Sequence, residues 1–462
     1  MSQSPMDPNK TVISGPPLSG DPNRTQAIAG GDLNRTQMMG ADDANRTTAM
    51  GAMKALTAEI VPGRAATMAN GPAREQFLVE FHAAGTQGLG AHAGARTPLN
   101  LCLVIDRSGS MEGPPLEYVK QACSYVVDLL TPNDVLSIVT FEETVDVLMA
   151  PQRVTNRQLV KEGIQRLVPG NTTNLYDGVS LAAQQLAQVQ EHGRATRMIV
   201  LSDGDPTAGI KDYSAIVNLA AEIKSKGITS TFLGFGPDYN EELLAGMAKK
   251  SGGNYYFIPR PELIPEIFRT ELEKLMTVVA RNLRLELKVA RWVTLRSSQA
   301  GAGREITMPL SDLERGTSLE QVFDFDFANH PLGHYRVASG KLVYDDLISN
   351  RSESIDLDFV IEFTADAARY SVPVDPRVSQ AAEISAASRQ VEKTIMGLKS
   401  NQITMAMAVA DLQKTQALLL SQGRTSDAKE VTMALRAIQA GDSGSAEKTL
   451  IGTMLNLDQG KK

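Results

Sequence analysis

Asn100-Leu-Cys-Leu-Val-Ile-Asp106-Arg-Ser108-Gly-Ser110-Met111 is the stretch on which the reading of this chain turns. Residues 100–105 form a continuous apolar run, as expected of a strand buried on both faces. The run ends abruptly in a carboxylate and two hydroxyls. Downstream the pattern alternates, with helix predicted over residues 114–130, 157–167, 175–188, 213–224, 241–249 and 262–276. Strands are predicted over 135–141, 197–201, 228–233 and 254–257. Such alternation predicts an α/β domain over residues 99–276, with a doubly wound, mainly parallel sheet of Rossmann-like design. Ligands of these sheets sit at the carboxyl ends of strands.

The polar clusters fall at those ends. Besides Asp106-Arg-Ser108-Gly-Ser110, there are Ser202-Asp203-Gly-Asp205 after the strand over 197–201 and Gly170-Asn-Thr-Thr173-Asn-Leu-Tyr-Asp-Gly178 before a helix. Hydroxyl and carboxylate oxygens suit a hard divalent cation such as Mg²⁺. The Asp-x-Ser-x-Ser spacing lets Asp106, Ser108 and Ser110 converge, with Gly109 permitting a tight bend. An Asp-x-Ser-x-Ser alone is common in loops; three clusters on the matching elements are not. Thr172 can replace Thr173 by a one-residue slip. Asp205 reads as an outer acid or a solvated one, and Tyr176 and Asp177 as the start of a helix.

Asp106-Arg-Ser-Gly-Ser110-Met, Thr173-Asn-Leu and Leu-Ser-Asp203-Gly resemble the metal-ion-dependent adhesion site of von Willebrand factor type A (VWA) domains. The resemblance implies that Ser108 and Ser110 ligate the metal (Mg²⁺ or Mn²⁺) directly and Thr173 directly or through water. Asp106 and Asp203 then act mainly through water. It also implies an open coordination position that a protein partner's Asp or Glu fills. Catalysis is not expected, because none of the five histidines lies in these motifs and no phosphate loop or nucleophile elbow occurs.

On either side the period is two. Phe77, Val79 and Phe81 share one register before the central domain; Leu283, Leu285, Leu287, Phe323, Phe325, Phe327, Leu357, Phe359 and Ile361 alternate after it. Residues 73–98 and 277–368 are therefore expected to form one β-sandwich into which the central domain is inserted. The inter-α-trypsin inhibitor heavy chains and their bacterial relatives look similar in this respect. Residues 369–462 are Ala-, Met- and Gln-rich with helical spacing. Their methionines, such as Met405, Met407 and Met433, read as core filler.

Residues 1–72 are rich in Gly, Pro, Asn and Thr, which predicts a disordered tail. A unit recurs in it: Asp7-Pro-Asn-Lys-Thr11, Asp21-Pro-Asn-Arg-Thr25, Asp32-Leu-Asn-Arg-Thr36 and Asp43-Ala-Asn-Arg-Thr47. The pattern resembles threonine motifs that bacterial Ser/Thr kinases modify and forkhead-associated domains read, which makes Thr11, Thr25, Thr36 and Thr47 expected phosphorylation sites. A low-complexity spacer is the plainer alternative.

The net charge of −7 leaves no basic footprint for nucleic acid. The absence of an early leader or an apolar run of membrane length, with only Cys102 and Cys123, both read as small buried hydrophobes, gives the expectation of a cytoplasmic protein. Two functions are expected from this sequence: a cation-dependent interaction scaffold, or the VWA subunit of an ATPase assembly of chelatase type.

Overall fold

A computed structural model describes residues 54–85, 96–189, 191, 193–236, 239–296 and 304–462. The chain opens with β1 (Leu56–Pro62), β2 (Ala66–Met68) and β3 (Ala73–Ala83). The first two strands fall inside the segment whose composition predicts disorder. That expectation is corrected from Leu56 onward: Ala55, Leu56 and Val61 are buried because β1 pairs along its whole length with β3. Short, half-exposed strands that need a partner from elsewhere carry almost no periodic signal of their own. Thr11, Thr25, Thr36 and Thr47 lie outside the described residues.

After β3 comes the α/β domain: β4 (Leu99–Asp106), α1 (Pro114–Leu129), β5 (Val135–Phe141), β6 (Val145–Arg153), α2 (Arg157–Gln165), α3 (Leu175–Ala187), β7 (Ala195–Ser202), α4 (Tyr213–Ser225), β8 (Thr229–Phe235), α5 (Glu241–Ser251), β9 (Tyr255–Ile258) and α6 (Ile264–Leu275). The strand order is β6-β5-β4-β7-β8-β9, parallel except at the β5–β6 hairpin. Every residue of β4, β5, β7 and β8 is buried, as expected when helices cover both faces of a parallel sheet. The edge strand β6 has no sequence expectation behind it. Most of its residues face solvent, so it lacks clean alternation. Asn174, Asp212 and Asn240 cap α3, α4 and α5 by accepting from backbone N–H groups in the first turn.

The chain then returns to the sandwich through β10 (Val278–Val289), β11 (Val293–Leu295), β12 (Glu305–Pro309), β13 (Leu313–Glu314), β14 (Ser318–Phe327), β15 (Gly333–Asp346) and β16 (Arg351–Thr364). One sheet runs β1-β3-β14-β11 and the other β12-β10-β15-β16-β2, with β13 also on β10. Strand β3 lies between β1 and β14, so the α/β domain is inserted into a sandwich whose core needs both flanks. Phe77 meets Phe325 and Phe359 edge-to-face at 5.6 Å each. Each fully buried phenyl ring of this kind contributes about 2–3 kcal/mol.

Five helices follow: α7 (Ala367–Tyr370), α8 (Pro376–Lys399), α9 (Met405–Ser421), α10 (Thr425–Gln439) and α11 (Ser443–Gln459). Their apolar residues, among them Val391, Leu412, Val431 and Leu450, are continuous with Leu244, Met247 and Tyr255 of the α/β domain in a single core. Helix α8 also packs on β3 and β14. Lys448 fixes the seat of α11: its Nζ donates to Tyr239 O and to Glu241 Oε2, both at 2.8 Å, and lies 4.0 Å from the Tyr239 ring centre. The reading of the methionines as core filler is corrected, since Met405, Met407 and Met433 are exposed. The inward positions of α9 are Ala408, Leu412, Thr415 and Leu419. Apolar residues on both faces of that helix blur which stripe is the core one. Cys102 and Cys123 are free and buried, and burial pushes both thiols up to about 12. No helix among the described residues is long and apolar enough to cross a membrane.

Candidate metal centre

Three loops meet at the carboxyl ends of β4 and β7. The first leaves β4 at Asp106, which pairs in register with Phe141 of β5. The side chain of Asp106 is fully buried and both its oxygens are used: Oδ1 accepts from Ser108 N at 2.9 Å and Oδ2 from Ser202 Oγ at 2.6 Å. Burial pushes this carboxyl up to about 7 against the pull of those hydrogen bonds, and the neighbouring charge of Asp203 adds to the rise. Through these two hydrogen bonds Asp106 holds the Ser108 loop against the end of β7.

Ser108 and Ser110, placed by that turn, bring their hydroxyls to 3.1 Å of one another, and Ser110 Oγ donates to Asp203 Oδ1 at 2.7 Å. Gly109 sits under the second loop, its N–H donating to Asn171 O at 3.3 Å. A Cβ there would stand 3.4 Å from the carbonyl oxygens of Asn171 and Gly170, while its φ is not left-handed. The expected tight bend does not need a glycine here, and a Cβ would make ordinary contact with the second loop.

The second loop is locked to the third through Thr173. Its N–H donates to Thr207 Oγ1 at 2.8 Å, and its carbonyl accepts from Thr207 N at 3.0 Å and Ala208 N at 3.2 Å. Gly204 faces the cluster: a Cβ at this position would lie 3.3 Å from Thr173 Oγ1 and 3.8 Å from Ser110 Oγ. The backbone at Gly204 thus walls a small space bounded by Ser110, Thr173 and Asp203. The structure brings Asp106, Ser108, Ser110, Thr173 and Asp203 together, and of the two threonines it is Thr173 whose Oγ1 faces Gly204. Thr172 Oγ1 is buried with no hydrogen-bond partner among the described residues. Asp205 is exposed, and Asp177 accepts from Asn174 Nδ2 at 2.9 Å at the start of α3. Tyr176 packs against the apolar core.

Sequence reading placed Ser202 in its cluster without giving it a role, and missed Thr207 and Glu142. Ser202 orients Asp106 and stands immediately before Asp203, so its place at a strand end was a usable signal. Glu142 follows β5 and receives Asn171 N–H at 3.3 Å and Arg107 Nη2 at 3.3 Å. Hydrogen bonds from the Glu143 and Asn171 backbone and the nearby guanidinium hold its carboxyl below the usual range. Thr207 has no sequence signal, because its role depends on the third loop folding over the second.

The donor set is made of hydroxyl and carboxylate oxygens alone, without nitrogen or sulfur. That is the chemistry a hard divalent cation requires, and the residues fit such an ion. Residues 100–270 match the family model of the von Willebrand factor type A domain, and this part of the chain is a VWA domain. An uncharacterized protein of Synechocystis sp. is 32% identical over 195 residues, which cover 42% of this chain and 46% of that one. Human inter-alpha-trypsin inhibitor heavy chain H4 is 30% identical over 167 residues, covering 34% of this chain and 18% of that protein. The chain spans less than half the length of these curated relatives. Among solved structures, a von Willebrand factor type A protein from Catenulispora acidiphila superposes with a TM-score of 0.65 at 18% identity, covering 82% of this chain and 89% of that one. The ArnB paralog VWA2 from Sulfolobus acidocaldarius gives 0.62 at 17% identity, covering 87% and 98%. These two likenesses extend well beyond the VWA domain and show that the fold is shared.

Proposed function

We propose that the VWA domain holds one divalent cation, Mg²⁺ or Mn²⁺, and uses it to bind a carboxylate of a protein partner. The observation that carries this reading is the convergence of Ser108, Ser110, Thr173 and Asp203 around the wall formed by Gly204. When bound, the ion supplies a fixed positive centre with a coordination position that a partner's Asp or Glu can fill. The chain's own residues do the rest. Asp106 and Ser202 hold the Ser108 loop, Thr207 holds Thr173, and Asp106 with Asp203 offsets the ion's charge.

The role is interaction rather than catalysis. The three loops offer no imidazole or thiol beside the cluster. Thr11, Thr25, Thr36 and Thr47 are the proposed sites of a Ser/Thr kinase, to be read by a forkhead-associated domain, because one unit recurs around each. Two free, buried thiols suit a reducing cytoplasm.

Titration calorimetry of the full chain with Mg²⁺ tests the metal reading. One site is expected, abolished in the double variant Ser110→Ala, Asp203→Ala with circular dichroism unchanged. Undiminished binding by that variant would place the ion elsewhere.

A further inference from the structure

The outer face of the sandwich carries another set of metal-binding side chains, outside the three loops of the VWA domain. It forms where β1, β3 and β14 run side by side. Glu59 stands opposite Glu80 in register, and Glu80 opposite Glu320. His82 lies two residues along β3, so its side chain leaves the same face as that of Glu80. Their neighbours Phe77, Val79 and Phe81 point the other way, into the sandwich core. One ligand atom each from Glu59, Glu80 and His82 lies within 4.8 Å of the other two.

Two carboxylates and an imidazole make a mixed oxygen and nitrogen set, unlike the all-oxygen set of the VWA centre. Imidazole favours Zn²⁺ or a similar transition metal over Mg²⁺. An ion at ~2.1 Å from each atom draws them to roughly 4 Å of one another. Glu59 and His82 are exposed and can turn that far, while Glu80, 8% exposed, is fixed by its surroundings. The imidazole of His82 makes no hydrogen bond with any described residue, so a ring nitrogen is available to a metal.

A cation already marks the position. A single nitrogen of Arg377, Nη1, donates to Glu59 Oε1 at 3.0 Å and to Glu80 Oε2 at 3.2 Å. The two carboxylates therefore converge from two strands on one ion-sized point. Glu320 is matched by Lys462 Nζ at 2.5 Å. Three carboxylates thus face two monovalent cations and, with His82 neutral, one negative charge of the row is left over. A divalent ion in place of the guanidinium covers it. Arg377 can give way, since its side chain is 49% exposed and Asp375 Oδ1 lies 3.8 Å from its Nε. Helix α8 keeps its seat without that contact, because Val378 and Ala381 pack with Val61 and Leu78.

We infer that Glu59, Glu80 and His82 form a second metal site, which takes Zn²⁺ or a similar imidazole-binding divalent ion in exchange for the Arg377 guanidinium. It shares no residue with the VWA centre, so neither reading depends on the other.

The test is calorimetry of the full chain with Zn²⁺, in the double variant Ser110→Ala, Asp203→Ala so that the VWA centre is silent. One Zn²⁺ per chain is expected. Adding His82→Gln or Glu59→Gln, both at exposed positions, should weaken it at least tenfold, the loss that even an outer-shell partner causes, with circular dichroism unchanged. Adding Arg377→Gln instead removes the competing cation and should tighten binding. No Zn²⁺ uptake, or uptake undiminished by His82→Gln and Glu59→Gln, overturns the site and leaves the Mg²⁺ reading of the VWA centre standing. Binding no tighter with Arg377→Gln overturns the exchange. An otherwise unaltered chain that takes up Zn²⁺ in a His82-dependent way but no Mg²⁺ supports this site and overturns the VWA reading alone.

Discussion

Asp312, in the turn between β12 and β13 of the sandwich, accepts from Arg197 on β7 of the VWA domain at 2.5 Å, and both side chains are buried. Thr229 Oγ1 at 3.0 Å, Asn282 N at 2.9 Å and Lys224 Nζ at 3.4 Å complete the shell around this carboxylate. The pair ties the inserted domain to its host, six residues along β7 from Asp203.

Burial alone would raise the Asp312 carboxyl, but Lys224 and Arg197 outweigh it and hold the group well below the usual carboxylate range. A depressed folded value means that the stabilisation is present above the ordinary aspartate range and is lost only as pH falls through the lower one. Asp312→Asn leaves two buried cations short of their partner and is expected to cost about 3 kcal/mol. A fall in the thermal midpoint of more than a few degrees would register it; an unchanged midpoint would show that the pair does not hold the domains together.

Gly204 offers a second test. A methyl group at 3.3 Å from Thr173 Oγ1 crowds the ligand space while leaving the sheet beneath untouched. Gly204→Ala should weaken Mg²⁺ binding about tenfold, equivalent to 1.4 kcal/mol, with little change in thermal midpoint. Calorimetry on the pure variant reads the first and differential scanning the second.

Chelation should release the ion without unfolding the chain. The centre sits on loops above a sheet whose strands are buried throughout, and its hydroxyls already hydrogen-bond among themselves. EDTA is expected to leave the far-ultraviolet circular dichroism intact. The unfolding free energy should fall only by the binding linkage, about 2.7 kcal/mol at a hundredfold excess over Kd. Collapse of the spectrum would make the ion a folding element.

Glu430 on α10 gives the helical region a pH dependence of the opposite sign to that of Asp312. Burial pushes its carboxyl up to about 7, against the hydrogen bond it accepts from Thr453 Oγ1 at 3.0 Å. A raised folded value means that the folded chain keeps a proton the unfolded chain releases near 4.5. Stability from this group is full below that pH and declines as pH rises towards 7. Glu430→Gln should flatten the decline and stabilise the protein at pH 8, by at most about 3 kcal/mol. Midpoints measured from pH 4.5 to 8 check the slope; parallel curves for both proteins would refute it.

The sequence determined the elements whose signal is local. The Asn100–Ile105 run declares a strand buried on both faces, and Asp106, Ser108, Ser110, Thr173 and Asp203 all sit where apolar periods break. The alternation of Phe323, Phe325 and Phe327 likewise announces a half-buried strand before any partner is known. Tertiary structure alone decided what depends on contact between distant segments. It set the Thr173 hydroxyl, not that of Thr172, against Gly204, and placed Ser202 and Thr207 as supports of the loops. It drew Leu56–Pro62 out of a polar tail into a sheet by supplying β3 as a partner. It turned Met405 and Met407 outward, because the face of α9 that carries Ala408, Leu412, Thr415 and Leu419 is the one packed on the core. Side-chain spacing along a chain reports which face can be buried, but only packing reports against what.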